Sequence, residues 1–205
     1  MKQSLFKDAM ILTAITLVAG LALGVVYEIT KAPIAKAEAD AVAKAYQTVF
    51  ADAVEFTPLD SFDSDAASAY VQEQGYTEDE VDNVVVAKDA SSNALGYVIT
   101  VTSHAGYGGD ITFSVGITNE GNINGYSITS ISETAGLGMK ATEEKFSSQF
   151  QNIPATTYTV TKSSPAGENE IEAISGATIT SRAMTGGVDA AVCYYDYLTG
   201  GAANE

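Results

Sequence analysis

The chain has one cysteine, Cys193, one histidine, His104, and one arginine, Arg182. A lone cysteine excludes an internal disulfide and a multi-cysteine cluster. With a single histidine beside it, no ligand set remains for a Cys/His zinc site within one chain. Basic residues number 10 against 26 acidic ones, a formal net charge of −16. Phosphate-backbone binding relies on clustered Lys and Arg, so nucleic acid is not an expected partner. Carboxylates are plentiful, yet there is no DxDxDG-type calcium loop, and Walker A, GxSxG and HExxH sequences are missing too. The common hydrolase toolkits are absent.

What is present begins with an uncharged apolar run of 19 residues, AMILTAITLVAGLALGVVY, at 9–27. At a helical rise of about 1.5 Å per residue it approaches the roughly 30 Å hydrocarbon core of a bilayer. Tyr27 stands at its end, where an interfacial aromatic is favoured. A secretory signal is the competing reading, with Ala35-Lys36-Ala37 as cleavage site. That site lies far beyond the run, and the run exceeds the usual signal core, so a retained anchor is expected. Lys2 and Lys7 precede the run while Lys31 and Lys36 follow it. This charge count is nearly balanced, and only the short N-terminal tail favours an N-terminus inside.

The expected organisation is an N-terminal tail and anchor over 1–28, a stalk helix and linker over 29–55, and a domain over 56–205. Ile34, Ala37, Ala41, Ala45 and Val49 repeat at helical spacing, with Pro33 suited to a first turn. Residues 59–70 read as an acidic loop with some local helix, and 76–80 as an exposed turn or short helix. Strands are expected at 83–88, 96–102, 111–117 and 123–130, with turns between them, and again at 157–162 and 170–174. Thr142 is the expected N-cap of a short helix near 141–151. A last helix starting near Thr180 or Ser181 carries Met184, Val188, Val192, Tyr195 and Leu198 on one face. One transmembrane helix followed by a mostly antiparallel sheet with packed helices makes the fold class α+β.

Residues 171–181, IEAISGATITS, place Gly176 and Ala177 among the hydroxyls of Ser175, Thr178, Thr180 and Ser181. The unpaired amides of a helix N-terminus favour an anion, and hydroxyls donate to phosphate oxygens. Arg182 would add charge. The same residues equally suit an ordinary capped helix start. Two further stretches bear on the choice. HAGYGGDI at 104–111 sets three glycines around Tyr107, and SETAGLG at 132–138 gathers Glu133, Thr134, Gly136, Leu137 and Gly138. Each suits a plain hairpin loop. Three such loops at element ends, without an acid–base or nucleophile–base pair, fit a cradle for a cofactor.

Taken in order, GYVITVTSHAGYGGDI, VGITNEGNINGYSITSISETAGLG and IEAISGATITS resemble the G subunit of the Rnf electron-transport complex. The C subunit of the sodium-translocating NADH:quinone reductase shares that family's FMN-binding domain. The resemblance implies FMN joined through its phosphate to the hydroxyl of Thr178 by a dedicated flavin transferase. It implies Ser175, Gly176, Ala177, Thr180 and Ser181 around the phosphate, and Glu133, Thr134, Leu137 and Tyr107 near the ring. Glu172 stands where the transferase pattern prefers Asp, and Ala135 where the second loop usually has Pro. It further implies a domain on the extracytoplasmic face of the cell (inner) membrane, and membrane and peripheral Rnf subunits as partners. There the subunit would relay electrons in a complex coupling ferredoxin oxidation and NAD reduction to ion transport. Other readings are a stand-alone extracytoplasmic FMN carrier and a cofactor-free membrane-anchored assembly subunit. For Tyr107, simple core packing competes with a role at the ring. His104 and Cys193 are read as structural.

Overall fold

The computed structural model describes residues 2–165, 167 and 169–200. The chain divides into two compact units, Met1–Ala41 and Val42–Glu205. Helix α1 spans Lys2–Val49, 48 residues, and contains Pro33. It is long and apolar enough to cross a membrane by length and composition. Pro33 was expected to open a helix and instead lies inside one. A proline removes one backbone donor, at about 3 kcal/mol, and the Ala- and Leu-rich sequence on both sides favours helix strongly enough to carry it.

In the second unit, the main sheet has six strands in the order of the chain, every neighbouring pair antiparallel. They are β1 (Glu55–Pro58), β2 (Asp79–Lys88), β3 (Ala94–Ser103), β4 (Ile111–Thr118), β5 (Asn122–Ile131) and β6 (Ile153–Pro154). Strands β7 (Thr159–Thr161) and β8 (Glu170–Glu172) form a separate parallel pair, shorter than expected. Helix α2 (Ser64–Glu73) occupies much of the expected acidic loop; Asp63 caps it, its carboxylate accepting from the Ala66 amide at 3.1 Å. A 3₁₀ turn at Gly138–Thr142 leads into the short α3 (Glu144–Ser147). Thr142 therefore ends one turn rather than capping the next. Its hydroxyl donates to the Met139 carbonyl at 2.8 Å, and Glu143 takes the cap position.

Period-two alternation divides the sheet between two cores. Val84, Ile99, Val115 and Tyr126 lie side by side across four strands and face helix α4 (Thr178–Thr199). From α4, Met184, Val188, Val192 and Tyr195 are buried in the same core as expected, each side chain of this size contributing about 1.5–3 kcal/mol. The adjacent row, Val85, Val98 and Gly116, faces the other way. There Tyr46, Val49 and Phe50, from the end of α1, cover Val85, Ala87 and Val98. Gly116 makes this approach possible, since a Cβ on it would stand 2.8 Å from that of Val49. The Asn124 amide also donates to the Val49 carbonyl at 3.0 Å, satisfying an orphan acceptor of the helix end.

Candidate functional site

Register brings the loops together. Ser103 pairs with Ile111, and Ile111 with Ile131, so the segments after β3 and after β5 leave the same end of the sheet. The first, 104–110, is fastened by His104. Its amide donates to the Glu78 carbonyl at 2.7 Å, while its ring lies 2.8 Å from Asp110 and 3.5 Å from Glu80. The hydrogen bond to Asp110 is the main reason its pKa is raised above the ordinary histidine value. The second loop folds back on itself, the Leu137 and Met139 amides both donating to the Thr134 carbonyl. Glu133 joins the two, its Oε1 accepting from the Tyr107 amide at 2.7 Å.

The third segment links β8 to α4. The expectation that α4 starts near Thr180 or Ser181 is corrected: its first residue is Thr178, behind Ala177 as N-cap. Ala177 supplies no side-chain capping bond. The first amides of the helix therefore point outward without an intrahelical acceptor, at the positive end of the helix dipole. An ordinary hydroxyl cap is not what these residues form.

A cleft of about 530 Å³ lies between the three segments, lined by Tyr107, Glu133, Thr134, Leu137, Gly138, Gly176, Ala177, Thr178, Ile179 and Thr180. That volume is in the range of cofactor pockets, about 300–1,000 Å³. Its walls depend on glycine. A Cβ at Gly138 would come within 2.5 Å of Glu133 Oε2 and 2.7 Å of Thr180 Oγ1. Gly176 has φ +81°, and a Cβ there would stand 3.1 Å from Leu137 Cδ2. Tyr107, Leu137 and Ile179 are exposed apolar side chains at the rim, whereas Glu133 and Thr180 are buried. Tyr107 is 70 % exposed, which removes core packing as its role. Among the described residues, Glu133 Oε2 finds no hydrogen-bond partner and no Lys or Arg lines the cleft. The donors offered to an anion are thus amides and hydroxyls, and Arg182 is exposed outside the lining.

Eight of the ten expected site residues meet here, and two do not. Ser175 lines a neighbouring cleft of about 450 Å³ with Lys140, Phe146 and Glu172. Ser181 is buried, with its hydroxyl already engaged: it accepts from the Ile174 amide and donates to the Ala177 carbonyl, both at 2.9 Å. Two further residues line the cleft: Gly138, named in the sequence as part of its glycine loop but not as a contact of its own, and Ile179, hidden as the one apolar residue between two threonines.

The FMN-binding domain family matches residues 106–193, and the RnfG N-terminal region matches residues 1–49. The G subunit of the Na(+)-translocating ferredoxin:NAD(+) oxidoreductase complex of Acetobacterium woodii is 30% identical over 95% of this chain and 93% of its own length. The G subunit of the proton-translocating complex of Clostridium ljungdahlii is 40% identical over 56% of this chain, a match spanning only 61% of that relative. Among solved structures, Shewanella oneidensis NqrC aligns with a TM-score of 0.50 at 16% identity, covering 76% of this chain and 88% of its own. The C subunit of the Na(+)-translocating NADH-quinone reductase of Parabacteroides distasonis gives 0.51 at 23% identity, covering 72% and 78%. These two support the same fold of antiparallel sheet and helices. By sequence over nearly its full length, the chain belongs to the RnfG family, the G subunits of ion-translocating oxidoreductase complexes.

Proposed function

We propose that this chain is a membrane-anchored electron relay of an Rnf-type ferredoxin:NAD oxidoreductase, carrying FMN esterified to Thr178. The observation that carries the reading is the convergence of three loops on the uncapped N-terminus of α4, with Thr178 as its first residue. The residues suit FMN in kind and in place. The amides of Thr178, Ile179 and Thr180 would hold a phosphate, supplying the partial positive charge that no Lys or Arg in the cleft offers. Tyr107, Leu137 and Ile179 present exposed apolar surface at the rim, against which a planar ring would pack. Glu133 ties the ring-side loops to each other through the Tyr107 amide. The flavin supplies the reversible electron transfer, and the protein supplies attachment, orientation and field.

Helix α1 would hold the domain at the bilayer, with the N-terminus cytoplasmic and the flavin side extracytoplasmic. The other Rnf subunits are its partners, and a flavin transferase attaches the group. A covalent ester keeps the carrier in place on a face where free flavin would diffuse away, and the exposed rim brings it within reach of a neighbouring centre. The test is a denaturing gel under ultraviolet light. Protein made with the transferase gives a fluorescent band that is absent in Thr178→Ala. A dark wild-type band refutes the flavin reading, and a fluorescent Thr178→Ala band refutes the attachment site.

A further inference from the structure

The segment between β8 and α4 is fastened at both ends by side chains that do not line the cleft. Upstream, the Gln149 amide brackets the backbone of Glu172, accepting from its N–H at 2.7 Å and donating to its carbonyl at 3.2 Å. Downstream, Ser181 Oγ accepts from the Ile174 amide and donates to the Ala177 carbonyl. The Ala177 amide itself closes onto the Ile174 carbonyl at 2.9 Å, so Ser181 locks a tight turn whose next residue is Thr178. Ser181 is fully buried; its hydroxyl is the acceptor for the Ile174 amide, and the Ala177 carbonyl takes both that hydroxyl and the Ser181 amide, the latter at 3.0 Å.

We propose that Ser181 is a positioning residue for the esterification of Thr178, a role that rests on Thr178 being the acceptor. Condensing FMN with an alcohol in water is unfavourable, so the donor must be an anhydride of FMN, a flavin dinucleotide, used by the transferase. Thr178 Oγ1 forms a new P–O bond to the FMN phosphorus while the anhydride P–O bond breaks. The nucleoside monophosphate leaves, the hydroxyl proton passes to a base of the transferase, and no electrons change hands. In such an in-line displacement the acceptor oxygen must sit at a fixed place and angle, where a displacement of about 1 Å costs on the order of a hundredfold in rate. Thr178 lies between Ala177, whose carbonyl takes the amide and the hydroxyl of Ser181, and the helix it opens, so the side-chain bond that only the hydroxyl makes is the one to the Ile174 amide. Without that hydroxyl the buried Ile174 amide must find another acceptor, and the turn moves to let it. Gln149 keeps Glu172 in place meanwhile, so the loss falls on alignment rather than on recognition upstream.

The test uses the full chain, purified in detergent from cells lacking the transferase, then mixed with transferase and FAD. Initial attachment rates are read by intact mass, with a melting temperature for each variant. Ser181→Ala is expected to lower kcat about tenfold or more with KM within about twofold. Ser181→Cys, nearly the same size but a weaker hydrogen-bonding group, falls between. Thr185→Ala is the control. It deletes another buried hydroxyl on α4, one that donates to the Ser181 carbonyl at 2.9 Å, and leaves the turn alone. It should lose stability and keep its kcat. Folded Ser181→Ala or Ser181→Cys running at the wild-type kcat overturns the proposal. So does a Thr185→Ala whose kcat falls as far as that of Ser181→Ala. A wild-type chain that accepts no FMN refutes the Thr178 reading instead, a separate result.

Discussion

Replacing Asp189 by Asn should stabilise the domain, and more so as pH rises. Asp189 is only 7% exposed on α4, and its Oδ1 accepts from the Tyr158 amide at 3.0 Å. Burial pushes its pKa from 3.8 up to about 7; the Tyr158 bond offsets part of that rise, and the nearby charge of Asp79 adds a smaller one. Burial likewise lifts Asp79 to about 6. A carboxyl raised in this way keeps its proton in the folded chain where the unfolded chain has released it. Folded protein then binds more protons between pH about 4 and 7, so stability falls as pH rises through that window and levels above it. From pH 5 to pH 8 the cost of charging Asp189 grows by about two pKa units, or about 3 kcal/mol at most. Relaxation and water entry would leave about half, equivalent to about 3–6 °C of melting temperature for a chain of this size. Asn keeps an oxygen for the Tyr158 amide and carries no charge. The assay is thermal unfolding of detergent-solubilised full chain by near-ultraviolet circular dichroism at pH 5 and pH 8. The advantage of Asp189→Asn over wild type should widen between the two. An advantage that stays constant, or an Asn variant less stable at pH 8, refutes the reasoning.

Gly138→Ala forces a methyl against Glu133 Oε2 and Thr180 Oγ1 and should cost about 1–3 kcal/mol while reducing FMN occupancy, read by melting and by the flavin-to-protein absorbance ratio. Unchanged occupancy would contradict the cleft as the flavin seat. Glu133→Gln removes a buried negative charge that no cation in the cleft offsets. It should raise the flavin midpoint potential by on the order of 30 mV, the equivalent of about 1.4 kcal/mol for a two-electron couple, and spectroelectrochemical titration decides the sign. If the chain works within a complex, mild detergent extraction should bring multi-span subunits with it on affinity purification. Recovery of the chain alone under every mild condition would favour the stand-alone carrier.

Much of this arrangement is written in local pattern. Period-two alternation marks β3 to β5, and steps of three and four from Met184 to Leu198 mark the buried face of α4. The glycine loops were visible because backbone that must approach something closely excludes side chains. What escaped depends on tertiary contact. Nothing in SGATITS tells that the hydroxyl of Ser181 turns inward to Ile174 and Ala177 while that of Ser175 lies over a different cleft. Strands β1 and β6 have four and two residues, too few to display a period. The start of α4 was misplaced because hydroxyl residues are the usual caps, whereas here Ala177 holds that position and leaves the helix amides open.

Trypsin cuts after Lys162 and Arg182, isolating residues 163–182 with every hydroxyl of the IEAISGATITS stretch. Fragment-ion mass spectrometry of that peptide, from chain made with the transferase, tests the account most directly. It should carry one FMN moiety on Thr178 and none elsewhere. An unmodified peptide, or FMN on Ser175, Thr180 or Ser181, would contradict it.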